Sequence, residues 1–281
     1  MDEIKKEKIL ITVKTYPTLS TKYGETVCTA GLREDGTWVR IYPVPFRRLD
    51  EKQRYKKFNW IECVLQRNSK KDFRPESYRP VDPDNECQFE PTGFVDTKNN
   101  WRQRRNLVLR KAVVYTSMEE LINDAKNKNK LTSLAVFKPK QLIGFEIEKT
   151  DSEWSEEKLR KMRKYNGGQL DLFSDEEWRK VFRIVKKVPF KFFYRFKDSQ
   201  SRERRLEIID WEIGALYWNL IKSNNTETTL RKIKQKYFIE FSETDIHFFL
   251  GTTRQFHLIA PNPFMIIGVF PIPYETQRSM F

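Results

Sequence analysis

The stretch VCTAGLREDGTWVRIY, residues 27–42, decides the first part of the fold, because two apolar runs flank one short polar segment. That segment contains Asp35-Gly36, a pair typical of tight turns between antiparallel strands, since glycine adopts a positive φ at little cost. The stretch therefore predicts a β-hairpin with strands over residues 27–32 and 38–42.

Further strand-like runs surround this hairpin, and prolines interrupt the chain often between residues 43 and 91, as in a small β-barrel with irregular loops. Ser117 followed by Glu120 forms a capping-box pattern, which predicts a helix over residues 118–126. A charged helix is predicted over residues 152–165. The other predicted strands cover residues 9–15, 60–66, 107–115, 134–137 and 141–148.

The last hundred residues predict a second module. FKFFYRFK, residues 190–197, alternates so that its aromatic residues at even positions share one face. Asp210 is predicted to cap one helix, and Thr226 a second helix that runs through Phe241. The apolar runs IHFFL and FMIIGVF, near the C-terminus, predict two buried strands.

Together these patterns predict an α+β, strand-rich fold with two small β-barrel, OB-like modules and appended helices. The predicted domains are an N-terminal barrel with a charged helix over residues 1–168 and a C-terminal β-α-α-β module over residues 186–281. Residues 169–185 are predicted to form a mobile linker between them.

The chain of 281 residues carries a net charge of +14, which favours a polyanionic partner over a merely soluble basic protein. Three cysteines without CxxC spacing and only two histidines predict no disulfide framework and no metal site. The sequence has no signal-peptide pattern and no apolar run of membrane-spanning length, so we expect a cytoplasmic protein with no membrane partner. It contains no P-loop, GxGxxG or GxSxG motif, and we expect no cofactor.

Two basic segments contain aromatic residues, and this combination is typical of surfaces that bind single-stranded nucleic acid or a nucleotide. In the first segment Trp101 is followed by Arg102, Arg104 and Arg105. In the second, one strand face is predicted to carry Lys191, Phe193, Arg195 and Lys197, with Arg204 in the next strand. The alternative is a solvated outer face with Phe193 in the core.

The insert GTTRQFH, residues 251–257, lies between the two apolar runs near the C-terminus. Thr252, Thr253, Arg254 and His257 are candidate ligands there, because hydroxyls and a guanidinium bind phosphate and an imidazole stacks on a base. The alternative is a structural bend whose threonines satisfy local backbone groups.

Carboxylates could instead make the protein a nuclease or a nucleotide-processing enzyme, since such enzymes hold a cation beside the scissile phosphate. The candidates are Glu146 and Glu148 in one predicted strand, and Asp210 and Glu212 at a helix start. A solvated charged face and a helix cap are the structural alternatives. A third hypothesis is a protein-interaction adaptor whose basic surface meets an acidic partner.

Four segments resemble an uncharacterised family of bacterial proteins with a predicted dual OB-fold, found near anti-phage defence genes. They are VCTAGLREDGTWVRIYPVPFRR (27–48), LAVFKPKQLIGFEIEKTDSEW (134–154), DWEIGALYWN (210–219) and FFLGTTRQFHLIAPNPFMIIGVF (248–270). The resemblance implies two small barrels that bind single-stranded nucleic acid or a nucleotide. It also implies a sensor or adaptor role beside an effector encoded nearby, such as a nuclease or helicase. It supplies no catalytic residues, and the helix-rich stretch 210–241 is large for an OB-fold.

Overall fold

The computed structural model describes residues 4–20, 24–67, 69–81, 89–165 and 185–274, and these form two seven-stranded sheets with a few helices. The predicted α+β, strand-rich class is confirmed.

The first sheet has seven strands, and five of them close into a barrel. The strands of the sheet are β1 (Ile4–Lys14), β2 (Thr18–Ser20), β3 (Gly24–Leu32), β4 (Trp38–Val44), β5 (Asn59–Arg67), β6 (Ser77–Pro80) and β7 (Glu90–Phe94). The barrel closes because β1 pairs with both β3 and β5, while β6 bridges β4 and β5 and runs parallel to β4. This arrangement is compatible with an OB-fold.

The predicted hairpin is confirmed as β3 and β4, with Gly36 at a φ of 87° in the turn between them. The strand predicted over residues 107–115 is wrong, because the chain forms helix α1 (Lys98–Leu109) and only two residues of strand. Arg104, Val108 and Ala112 are buried at intervals of four, which is the spacing of one helix face. The apolar run within residues 107–115 predicts a strand when it is considered alone. The four-residue spacing that indicates a helix begins at Arg104, before that run.

The second sheet contains β8 (Val114–Tyr115), β9 (Leu134–Phe137), β10 (Gln141–Lys149), β11 (Phe190–Lys197), β12 (Glu203–Ile208), β13 (Asp245–Thr252) and β14 (Phe264–Ile272). Their order is β10-β11-β12-β14-β13-β9-β8. Among the described strands, the pairings therefore place β10 and β8 at the two edges, whereas a second barrel was predicted. The alternation in β11 is confirmed, since Phe192, Tyr194 and Phe196 are all buried.

Among the described residues, four helices accompany this sheet: α2 (Met118–Lys126), α3 (Glu156–Tyr165), α4 (Trp211–Leu220) and α5 (Thr226–Lys234), which continues as a π-helix over Gln235–Glu240. Ser117 and Asp210 cap α2 and α4 as predicted, each accepting a hydrogen bond from a first-turn backbone N–H. Asn225, rather than Thr226, caps α5, because its side chain accepts from the Thr228 N–H.

The division between the two sheets lies near residue 110, whereas the sequence had suggested a boundary at residue 168. The reason is that β9 pairs with β13, β10 pairs with β11 and β8 pairs with β9, so all three strands belong to the second sheet. Apart from Val185, the predicted linker over residues 169–185 lies outside the described residues.

Each module has a hydrophobic cluster of its own, and the two modules share a third cluster at their boundary. Leu10, Val13 and Leu32 of the barrel belong to the same buried cluster as Phe249 and Ile272 of the second sheet. Buried arginines add polar contacts across the same boundary, which are described below with the GTTRQFH insert. The barrel and the second sheet are thus packed directly on each other.

Candidate functional site

A cleft of about 770 Å³ lies where the two modules meet. The barrel side contributes the end of β1, the three residues before β5, the end of β7 and α1, and the other side contributes α4, the π-helix and β14. Its lining includes five cations, Lys14, Lys56, Lys57, Arg104 and Lys236, and two carboxylates, Glu212 and Glu240. The aromatic residues of the lining are Phe58, Phe94, Trp101, Trp211, Tyr237 and Phe241.

Arg104 is the central cation of the barrel wall. Its guanidinium carbon lies 4.1 Å from the Phe58 ring centroid, 5.1 Å from that of Trp101 and 5.4 Å from that of Phe94. Its Nε donates to the Val95 carbonyl at 2.8 Å, which fixes the plane of the group. Arg104 is 7% exposed, and within the described part of the chain its two terminal nitrogens make no hydrogen bond, so a phosphate or a base edge that enters the cleft would meet unused donors.

The backbone of this wall adopts uncommon conformations. Phe58 has a φ of 65°, and Asn99, Asn100 and Trp101 follow one another with φ values of 52°, 51° and 61°. Positive φ is unfavourable for bulky side chains, and such strain concentrates at ligand clamps and active sites. The strain therefore coincides with the two aromatic residues that flank Arg104.

The opposite wall includes the six-residue π-helix Gln235–Glu240, which supplies Lys236, Tyr237 and Glu240. π-Helical turns are rare in proteins and occur frequently at functional sites. Lys236 and Glu240 are exposed at the rim, whereas Tyr237 is buried. This wall thus combines the accessible cation of Lys236 with the buried ring of Tyr237 behind it.

Lys14, at the end of β1, is held between two rings. Its Nζ lies 4.1 Å from the Phe46 centroid and 4.3 Å from the Trp211 centroid. Among the described residues it makes no ion pair closer than 4 Å. Burial, and then the charge of nearby Lys57, lower the pKa of the Lys14 amine to about 8.

Lys57, beside it, is fully engaged. Its Nζ donates to Asp210 at 2.7 Å and to Glu212 at 3.0 Å. Burial opposes its charge, but these two carboxylates outweigh burial and raise the pKa of Lys57 above its usual value. Asp210, which has no exposed surface, also accepts from the Val269 N–H at 3.1 Å, so its ion pair with Lys57 connects the barrel to β14 of the second module.

The predicted platform on β11 lies elsewhere, and its charges are paired. Phe193 is only 6% exposed because the Arg205 guanidinium covers its ring at 3.6 Å from the centroid. Arg205 itself contacts Glu146 at 2.7 Å and also Glu148. The two suspected catalytic carboxylates of β10 are therefore ion-pair partners on this face.

Three of the four remaining cations of the platform are paired as well. Lys191 contacts Glu207 at 3.3 Å, and Arg195 contacts Glu203 at 2.9 Å. Arg204 contacts buried Asp198 at 3.1 Å, and Lys197 is half-buried at the end of the strand. On this outer face the cations 191, 195, 197 and 205 meet four glutamates, 146, 148, 203 and 207, so the local charge is +4 − 4 = 0.

The GTTRQFH insert lies against the barrel. His257 has no exposed surface; its Nδ1 lies 2.7 Å from the Thr252 hydroxyl, and its Nε2 lies 2.9 Å from the Ala125 carbonyl. Because a carbonyl only accepts, Nε2 carries the proton and Nδ1 accepts from Thr252. Burial lowers the pKa of His257, so the imidazole is neutral at neutral pH.

The rest of the insert also makes contacts between the modules. Arg74 donates to the Thr252 carbonyl at 2.5 Å, and Arg254 donates to the Lys71 carbonyl. Arg40, nearby, donates to the Ser133 hydroxyl at 2.7 Å. The Thr253 hydroxyl is buried and has no hydrogen-bond partner among the described residues. Arg254 is the exposed member of the four candidates.

Of the residues singled out in the sequence, Trp101 and Arg104 line the cleft. Arg102 is exposed on α1, and Arg105 pairs with Asp245 at 3.4 Å. The sequence did not reveal that Lys14, Lys56, Lys57, Lys236 and the aromatic residues beside them form one site. Lys56, Lys57 and Phe58 combine two cations and a ring in adjacent positions, which is a local pattern of a binding surface. Asp210, the partner of Lys57, lies more than 150 residues away, so the sequence does not show the rest of the site.

Two further observations concern metal binding and membrane-spanning helices. In the described ranges, no group of three or more His, Cys, Asp and Glu side chains could hold a metal ion. Within the same residues, no helix combines the length and the hydrophobicity that crossing a membrane requires.

The fold and the cleft define a two-module class of protein, in which an OB-like barrel and a seven-stranded sheet enclose a basic, aromatic site. Residues 5–110 match a domain of unknown function, DUF8758, and residues 114–281 match a second, DUF8757. The chain belongs to the DUF8757 family, whose match covers more than half of it. The boundary between the two matches coincides with the division between the sheets. No curated protein matches the chain.

Proposed function

We propose that the protein binds single-stranded nucleic acid in the cleft between its two modules. The observation that carries the proposal is Arg104, held among Phe58, Phe94 and Trp101 with both terminal nitrogens unengaged by described residues. Cations beside accessible rings are the combination that binds a strand without strong sequence preference.

The cleft offers separate contacts for the two parts of a nucleotide. Trp101 and the exposed Phe94 present rings on which bases can stack, a contact worth about 1–3 kcal/mol per base. Lys56 and Lys236, exposed at the rim, can neutralise phosphates on either side. A duplex does not present its base faces, so this arrangement favours single strands.

The biological role that we propose is that of a cytoplasmic sensor or adaptor in prokaryotic defence, acting with an effector such as a nuclease or helicase. This part rests on the resemblance described above and on the net charge. Asp210, Glu212, Glu146 and Glu148 are each ion-paired, which favours a structural role over a nuclease centre.

Fluorescence anisotropy with labelled single-stranded DNA and RNA, at several salt concentrations, tests the binding. We expect Trp101→Ala to weaken affinity about tenfold, because a stacking contact is lost. Lys56→Ala and Lys236→Ala should each reduce the slope of log affinity against log salt by about one. Both lysines are exposed, so these variants retain the fold.

The double variant Lys191→Ala/Arg195→Ala is the matched control, because it removes two cations from the ion-paired face of β11. Its affinity should equal that of the unmodified protein. The proposal fails if the control variant loses as much affinity as the cleft variants, or if neither DNA nor RNA binds with a salt-dependent affinity.

A further inference from the structure

We propose that Lys14 captures aldehyde-bearing single strands by forming an imine, and that the ligand class is a strand with a ring-opened abasic sugar. The inference rests on the proposed function, because the cleft must first hold the strand. It goes beyond that function by assigning a covalent step and a chemical class of ligand.

Lys14 lies in a partly desolvated position beside a second cation. Its Nζ lies between the Phe46 and Trp211 rings, and its neighbouring cation, Lys57, is already bound to Asp210 and Glu212. A lysine in a desolvated site beside a second cation is a recognised way to generate a nucleophilic amine. Lys14 is also one of the residues that line the cleft, beside Lys57 and Trp211.

The protonation state agrees with this role. With a pKa of about 8, roughly one Lys14 amine in ten is uncharged at pH 7, compared with about one in three thousand for an ordinary lysine. The uncharged form is the one that attacks a carbonyl. The reactive fraction is therefore raised about 300-fold.

The chemistry of the site points to an aldehyde on a nucleic acid. A primary amine condenses reversibly with an aldehyde, and a strand exposes an aldehyde where a base has been lost and the sugar ring has opened. At such a position the base is missing, so no base has to fit between the sugar and the aromatic residues of the lining, and the sugar can approach Lys14. The cations Arg104 and Lys56 remain available to the flanking phosphates.

The step balances without an oxidant, a reductant or a metal. The Nζ lone pair attacks the aldehyde carbon, a C–N bond forms, and the carbonyl π pair moves to oxygen. The two amine hydrogens leave with that oxygen as water, and the carbon–nitrogen bond becomes double. Water reverses the reaction, so the capture is reversible until the imine is reduced.

The test uses the full chain with a single-stranded oligonucleotide that contains one abasic site, followed by borohydride reduction. We expect a covalent adduct on a denaturing gel, which mass spectrometry maps to Lys14. Lys14→Arg, which keeps a cation between the rings, should lower adduct yield at least tenfold. The rate of trapping should rise with pH around a midpoint near 8.

Lys8→Arg is the matched control. Lys8 lies on the same strand and 5.4 Å from the Trp60 centroid, but it is exposed and paired with Glu34 at 2.8 Å. Its replacement should leave the adduct yield unchanged. An adduct that maps to other lysines, or that survives Lys14→Arg, overturns the inference.

Binding of an intact strand separates the two proposals. If the protein binds the intact strand but yields no adduct with the abasic one, the covalent inference fails and the binding function stands. If it binds neither strand, the proposed function fails and the inference fails with it.

Discussion

His257 shows how a residue with the chemistry of a ligand can have a structural role. In the sequence it stands in a polar insert between two apolar strands, which suggested a contact to nucleic acid. In the fold its two nitrogens are both used, by the Thr252 hydroxyl and the Ala125 carbonyl, and its surface is fully covered. It joins β13 to the end of α2, and it can do so only in its neutral form.

This arrangement predicts a loss of stability in acid. Burial lowers the pKa of both His257 and His247, so the unfolded chain binds more protons than the folded chain once the pH falls below about 6.5. The stability that the two neutral histidines contribute to the folded state is therefore fully present above about pH 6.5, and it is lost as the pH falls toward their pKa values in the folded chain. Each histidine contributes at most about 1.4 kcal/mol per pH unit.

Urea denaturation at a series of pH values measures this effect. His257→Gln should show a shallower dependence of unfolding free energy on pH below 6.5, with His247 accounting for part of the remainder. An unchanged slope in His257→Gln would contradict the neutral, buried assignment.

At the scale of elements, α4 holds the end of β1 in place. Gly214 of α4 faces Tyr16, and a Cβ at position 214 would lie 2.2 Å from the Tyr16 Cδ2 atom. Tyr16 is itself fixed, because its hydroxyl accepts from the Trp218 indole at 2.8 Å and donates to the Lys186 carbonyl at 2.9 Å. The helix therefore needs glycine at this position to approach the barrel.

Gly214→Ala should destabilise the protein by about 1–3 kcal/mol, because the added methyl group forces α4 away from Tyr16. Helix propensity alone predicts the opposite sign, a gain of about 1 kcal/mol. Thermal and urea denaturation distinguish the two. Ala215→Gly, one residue along the same helix, is the control and should cost about 1 kcal/mol through propensity alone. A stabilised Gly214→Ala variant would contradict the close contact.

Local patterns were sufficient to predict most elements. Asp35-Gly36 defines a hairpin, Ser117 and Asp210 define helix starts, and the alternation in β11 defines a buried face, because each depends on residues within a few positions. The site did not follow from such patterns. The charges of Lys191 and Arg195 in β11 are neutralised by Glu207 and Glu203 of β12, with Glu146 of β10 near Arg195, and this pairing requires the register of three neighbouring strands, which the sequence does not display.

At the scale of the whole molecule, the two modules are structurally interdependent. Their common core places Leu10 and Val13 of the barrel in one cluster with Phe249 and Ile272 of the second sheet. The buried Arg40 and Arg74 satisfy carbonyl groups on the far side of the boundary. Neither module can expose this surface without uncovering apolar residues and unpaired polar groups.

We therefore expect a single cooperative unfolding transition, since the modules cannot separate without losing a shared core. Tryptophan fluorescence and circular dichroism should give coincident denaturation curves. Fragments 1–110 and 114–281, produced separately, should each lack a cooperative transition and should regain it when mixed. A fragment 1–110 that unfolds cooperatively alone would show that the barrel is an independent unit.

The ion pair between Lys57 and Asp210 has a consequence for inheritance. Lys57 belongs to the half of the chain that matches one family, and Asp210 to the half that matches the other. A recombination event that replaced either half without its counterpart would bury one charge with no opposite charge beside it, at a cost of about 3–5 kcal/mol. Selection should therefore keep the two halves together as one gene, and in related genes positions 57 and 210 should change only as a pair.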